Sequence, residues 1–215
     1  MSGGRLVTCI VICGAVVACG AGNTTRSAAP TSSGAVDVLR ELSRLPDGFS
    51  VRPRHSWRSP VRPADERCRT MLAAPAGHPP ERGLRTHAAA ALHGNRVGEG
   101  GGVSVAVYGG GHSSTAFGEL SRALARCEEI VPRKGDTRLT VKRLTGERID
   151  DIGDDVAAAR LRGKLNGYPY EMRVIFVRSG TMLISVAHAG MGRLDPHRTE
   201  QLVRAVADEV PGRAE

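Results

Sequence analysis

The sequence predicts an α+β fold, a twisted antiparallel sheet covered by helices as a two-layer sandwich, preceded by an export signal and a flexible tether. Three observations carry this. Alternating apolar residues mark several strands joined by short turns, which favours antiparallel neighbours over parallel crossovers. Helical stripes stand before and after those strands, so the helices pack on one face of the sheet. The first residues form an apolar run too short to cross a bilayer. At 215 residues, the chain accommodates one ordinary domain with extensions.

Residues 1–18 divide into one positive charge at Arg5, an apolar run over 6–18, and small residues leading to Cys19. This is the layout of an export signal rather than of a buried N-terminal strand or helix. The stretch Val16-Val17-Ala18-Cys19 resembles the bacterial lipobox, in which aliphatic and small residues precede an acceptor cysteine, although Val17 is bulkier than usual there. The resemblance implies cleavage before Cys19, a thioether-linked diacylglycerol on its sulfur, and often another acyl chain on the new amine. Two chains anchor stably where one is marginal. Ordinary secretion with cleavage nearby is the alternative. Residues 19–35 then comprise the lipidated cysteine and a linker with almost no apolar bulk, leaving 36–215 for a single domain. Cys9 and Cys13 depart with the signal. Cys68 and Cys127 remain, and such a pair in an oxidising compartment is more often a disulfide than a metal or catalytic site. Two independent buried thiols are the alternative.

Aromatic residues make up 3% of the chain, which leaves Ala, Val and Leu to fill the core and disfavours a broad stacking surface for sugars or bases. The formal net charge is +8. Export removes nucleic acid as a partner, so anionic lipid headgroups or acidic wall polymers are the available counterparts.

Along the domain, Val36, Leu39, Leu42 and Leu45 form one stripe of a short helix that ends before Pro46-Asp47-Gly48. Residues 49–63 are rich in Pro and Arg, carry the single tryptophan, Trp57, and read as an edge strand or extended crossing. Residues 64–74 have helical composition with Cys68 in the middle. Residues 75–102, with Pro79-Pro80 and a glycine run, read as a surface excursion. Val103, Val105 and Val107 alternate up to Tyr108 as a strand. Residues 113–130 form a helix with Phe117, Leu120, Leu124 and Cys127 on its buried stripe and Ser113, Ser114 or Thr115 as cap. Extended segments follow at 138–144 and 156–162. A hairpin joins 170–177 to 181–188 around Ser179-Gly180. Asp195-Pro196 opens a last helix, with Leu202, Val203, Val206 and Val210 facing inward.

Constellations of catalytic or ligating residues are scarce. His55, His78, His87, His93, His112, His188 and His197 stand apart from the spacings a metal-binding helix needs. There is no Gly-x-Ser-x-Gly elbow, so Ser113 and Ser114 read as caps. The glycines at 98–102 precede a strand instead of following one, which argues against a phosphate loop. Asp150, Asp151, Asp154 and Asp155, with Glu147 nearby, form the one dense acidic cluster; it reads as a solvated turn balanced by Arg148, with calcium as the alternative. No catalytic residue, metal or cofactor is therefore assigned. The stretch 52–69, with Arg52, Arg54, Arg58, Arg62, Arg67 and Arg69, is either a solvated coil or a face for anionic lipid or wall polymer.

Ile152-Gly153-Asp154-Asp155-Val156, followed by a strand and by the 170–177 and 181–186 hairpin, resembles the C-terminal half of small mycobacterial lipoproteins. Those are similar in turn to the extracellular sensor domains of mycobacterial serine/threonine kinases. The strand 103–108 and the helix ending at Ala125-Arg126-Cys127 extend the likeness over roughly 36–210. The resemblance implies an α+β sandwich, a structural disulfide, a cleft for an unknown ligand and no catalytic residues. Those sensor domains typically carry two disulfides, whereas the exported part here has one cysteine pair. Two functions follow as expectations. One is a membrane-anchored, non-catalytic binding module for an unknown envelope ligand or protein, on the extracytoplasmic face. The other is a structural or assembly role through the basic stretch 52–69.

Overall fold

The computed structural model describes residues 35, 45–52, 55–131, 138–146 and 148–209. The signal, Cys19, the tether up to residue 34 and most of the helix expected over 36–45 lie outside these, as do Arg54, Glu147 and Val210, while Ala35, expected in the tether, is buried in the core. Among the described residues no helix is long and apolar enough to cross a membrane.

The chain lays down β1 (Phe49–Arg52), α1 (Glu66–Ala73), β2 (Leu84–Gly94) and β3 (Gly100–Tyr108), then crosses through α2 (His112–Arg126) to the far side of the sheet. It returns as a meander of β4 (Glu129–Ile130), β5 (Arg138–Leu144), β6 (Asp155–Leu165), β7 (Tyr168–Ser179) and β8 (Met182–Met191), and ends in α3 (Pro196–Asp208). The spatial order is β1-β2-β3-β8-β7-β6-β5-β4, with every neighbouring pair antiparallel. The last strand thus closes the sheet by inserting between β3 and β7. Local chemistry sets the turns: Asn166 and Gly167, both at positive φ, occupy the two-residue link that puts Leu165 opposite Tyr168, the geometry a twisted hairpin favours.

Both faces of the sheet are buried. On β7, Met172, Val174 and Phe176 join one core with α1 and α2, while Ile175 and Val177 join a second with Leu202, Val203 and Val206 of α3 and with Ile149 and Ile152. The expected two-layer sandwich, covered on one face, is therefore corrected to three layers. The physical reason stands in the central strands: Val103-Ser104-Val105-Ala106-Val107 and Val174-Ile175-Phe176-Val177 carry small or apolar residues at successive positions, the pattern of a sheet enclosed on both sides.

Two further expectations change. The surface excursion over 75–102 contains an eleven-residue strand, β2, paired with β3 from Leu84↔Tyr108 to His93↔Gly100. Its alanines have little strand propensity of their own, so cross-strand packing decides. Helix α2 starts from Gly111 in the left-handed region without a side-chain cap; Ser113 instead donates to the Gly180 carbonyl at 2.8 Å, tying the helix to the β7–β8 turn. The helix also stops at Arg126, because Glu129 and Ile130 are drawn into pairing with β5. The helix expected over 64–74 is present and is capped by Asp65, the last helix opens at Asp195 with Pro196 in its first turn as expected, and β1 sits at an edge.

Cys68 on α1 and Cys127 at the end of α2 form a disulfide with a Cα separation of 5.2 Å across 59 residues. A loop of this length lowers the entropy of the unfolded chain by an amount worth about 4 kcal/mol. Replacing both cysteines by serine is expected to lower the unfolding free energy by about that amount, read by denaturant titration, and to leave the circular dichroism of the folded state unchanged.

Candidate functional site

Residues 55–63 form an extended strap across α1. Buried Val61 and Pro63 hold it down, Ser59 accepts from the Val61 amide at 3.3 Å and donates to the Val61 carbonyl at 2.8 Å, and the Ala91 amide donates to the His55 carbonyl at 2.6 Å. Trp57 lies directly over Gly102. A Cβ there would stand 2.7 Å from that of Trp57 and 2.5 Å from the Pro75 carbonyl oxygen, so only glycine lets the indole settle against β3.

Strap and helix enclose a cleft of about 800 Å³. Val61, Leu72, Ala73 and Ala76 give it an apolar wall, and Arg58, Arg62 and Arg69 give it a cationic one; His78 also lines it, and no carboxylate is among its lining residues. Such a cavity suits a ligand with an apolar body and an anionic group. The structure thus gathers three arginines of the basic stretch 52–69 into one concavity. Arg52 and Arg67 are exposed outside it.

On the opposite side of the sheet lies a buried polar network. The His188 Nε2 is 3.2 Å from Glu99 Oε1 and its Nδ1 is 2.9 Å from Thr199 Oγ1. Arg198 donates to both Glu99 oxygens at 2.9 and 3.1 Å, to the Asp47 carbonyl at 2.8 Å and to Asn95 Oδ1 at 2.9 Å, and stacks 4.2 Å from the Phe49 ring centroid. Gly94 is required here, because a Cβ would collide with the Glu99 carboxylate. The strip continues on β7, where Glu171 accepts from Arg162 at 2.7 Å and lies 3.5 Å from Arg173.

A hydroxyl, an imidazole and a carboxylate in hydrogen-bonded sequence have the order of a hydrolytic relay. Here they do not face a substrate. Thr199, His188 and Glu99 are 3%, 1% and 7% exposed, so no acyl group reaches the hydroxyl, and the network acts as a polar staple joining the β2–β3 turn to β8 and α3. With the imidazole neutral, Nε2–H donates to Glu99 and Nδ1 accepts from Thr199. Burial pushes the His188 pKa down, and although the Glu99 hydrogen bond and charge oppose this, the charges of Arg198 and Arg173 reinforce it. Burial would raise the Glu99 pKa, yet hydrogen bonds from Arg198, the Arg96 amide and His188 outweigh it and hold the carboxyl below its ordinary value.

The acidic cluster is drawn into ion pairs. Asp154 and Asp155 bind Arg178 at 2.9 and 2.5 Å, Asp151 binds Arg204 at 2.7 Å, and Asp150 accepts from the Gly146 amide at 3.1 Å. Among the described residues no three His, Cys, Asp or Glu side chains converge where a metal ion could sit. Sequence reasoning missed the polar staple because its members lie 89 and 99 residues apart. The available signals were a lone carboxylate inside a glycine run and a histidine inside an otherwise small and apolar strand.

No family model matches this sequence, and no curated protein is significantly similar to it. Among solved structures, the extracellular domain of PknH from Mycobacterium tuberculosis aligns over 86% of this chain and 93% of its own, at 13% identity and a TM-score of 0.55. The two share one fold. An uncharacterized protein from Mycobacterium smegmatis aligns over 84% of this chain and 99% of its own, at 14% identity and a TM-score of 0.47. The likeness to mycobacterial extracellular domains read from the sequence motifs is matched, at the level of fold, by the PknH domain.

The His188 shift sets a pH dependence. Its folded pKa lies below the unfolded value of about 6.5, so the unfolded chain takes up the proton first and stability present at neutral pH falls as pH drops through and below that value. Glu99 adds a loss of the same sign below the ordinary carboxylate range. Urea midpoints measured from pH 7.5 to 5 are expected to fall, and His188→Gln should flatten that slope. Arg198→Ala, which leaves the buried Glu99 carboxylate with hydrogen bonds from the Arg96 amide and His188 but without its charged partner, should cost about 3 kcal/mol at pH 7.

Proposed function

We propose that this protein is an exported, lipid-anchored binding module of the cell envelope, non-catalytic and sensor-like, which takes its ligand in the cleft between the strap and α1. One observation carries the reading: a concavity of ligand size with an apolar wall, three arginines and no opposing carboxylate in its lining. The fold shared with an extracellular domain supports placement outside the cytoplasm, and the enclosed Thr199-His188-Glu99 relay supports binding over hydrolysis. Anchoring rests on the lipobox-like Val16-Val17-Ala18-Cys19, with the tether holding the domain near the membrane surface. The ligand class that fits is an amphiphile bearing phosphate or carboxylate, drawn from the envelope or presented by a protein partner.

Two measurements test this. Native mass spectrometry of the protein purified from its own host should find an anionic amphiphile that is lost on Arg58→Glu with Arg62→Glu while the fold survives; an empty cleft, or a ligand indifferent to both charges, overturns the binding reading. Cys19→Ala should abolish partitioning into detergent and incorporation of labelled palmitate. Unchanged partitioning and labelling would defeat the anchor without touching the cleft.

A further inference from the structure

We infer that one end of the sheet docks on an anionic phospholipid bilayer. This surface is separate from the cleft, and the inference stands whether or not the cleft holds a ligand. Among the described residues the exposed large apolar side chains are Val97, Tyr168, Met191 and Val131, at 88%, 66%, 44% and 39% exposure. The register places all four at the same end. Val97 sits in the turn that joins the end of β2 to the start of β3, and Gly100 at that start faces Ala189 near the end of β8. Met191 closes β8 opposite Tyr170, Tyr168 opens β7 after the two-residue turn, and Val131 follows β4 beside the start of β5.

Three of the four are contiguous. A Cβ on Gly98 would stand 2.8 Å from Met191 Cγ, and the Gly192 amide donates to the carbonyl of Pro169 at 2.8 Å, which links the Val97, Met191 and Tyr168 tips into one ridge. Cations flank the tips: Arg96 precedes Val97, Arg193 follows Met191, and Lys164 lies across the hairpin from Pro169, all exposed. Arg138, also at this end, pairs with Glu129 at 2.8 Å. Of the other carboxylates here, Asp195 caps α3, and Asp47 is exposed.

The chemistry selects a bilayer over a protein. A stable protein interface buries about 800 Å² on each partner around a broad apolar centre, which a narrow ridge of three side chains does not supply. A narrow ridge of apolar and tyrosine side chains at strand ends and a turn, flanked by lysine and arginine, matches the headgroup region instead, where the tips enter the acyl boundary and the cations meet phosphate.

The test is amide hydrogen exchange on the full chain reconstituted into phosphatidylcholine vesicles with and without phosphatidylglycerol. Exchange over residues 95–98, 166–168 and 192–193 is expected to slow about fivefold or more in the anionic vesicles, the worth of roughly one cation at a charged surface. High salt and the triple variant V97D/Y168D/M191D should each return it toward the rate in neutral vesicles. All three sites are exposed, so the variant retains the buried cores, and far-ultraviolet circular dichroism checks this. Equal exchange in both vesicles overturns the inference. So does protection that needs no vesicle and grows with protein concentration, which would assign the ridge to a second copy, and so does lipid-dependent protection confined to residues 55–69, which would move the contact to the strap.

Discussion

The pairing of β3 with β8 is the constraint on which the architecture rests. Eight consecutive partners, from Gly100↔Ala189 to Val107↔Met182, unite strands that the chain lays down some eighty residues apart. Until that ladder closes, the β1–β3 unit and the β4–β8 meander each present an apolar edge. Once closed, it puts β3, β8 and β7 at the middle of the sheet, where they have neighbours on both sides and need cover on both faces. Helices α1 and α2 supply one cover and α3 the other. The strap over α1, and hence the cleft, exists because the chain must travel from the edge strand β1 to the helix that shields this central ladder.

Where the sheet's second face runs out of apolar cover, the protein substitutes charge satisfied by charge. Glu99 enters the protein at the start of the central ladder and is met by Arg198 and His188 from elements the ladder brings together. The carboxylate would be costly alone, and its partners make it a reporter of correct assembly: only when β3, β8 and α3 are all in place does each of these groups find its mate. Specificity of register is thereby written in polar atoms as well as in packing.

Much of this was legible in the chain because it depends on local periodicity. The strand at 138–144, the hairpin around Ser179-Gly180, the helix opened by Asp195-Pro196 and the pairing of Cys68 with Cys127 all follow from spacing or from simple pairing. What escaped is what tertiary context decides. Ala88 to Ala91 carry no strand signal until β3 lies beside them. Ser113 looks like a cap, but the Gly180 turn recruits its hydroxyl. The central strands alternate loosely enough to be read as one-sided, although their polar-looking positions, Ser104 and Ser185, are themselves buried. The cleft was visible only as a run of arginines, since nothing in their spacing says that α1 will fold back beneath them.

The two rims of the sheet are unequal and both are blunt. β1 has four residues and β4 two, and prolines stand next in the sequence at position 53 and one residue further on at position 132. A rim so short offers few free amides and carbonyls to another molecule's strand, and proline ends the donor row. At any local concentration, that trimming removes the simplest path to edge-to-edge fibre growth, and it does so without disturbing the helices that cover both faces.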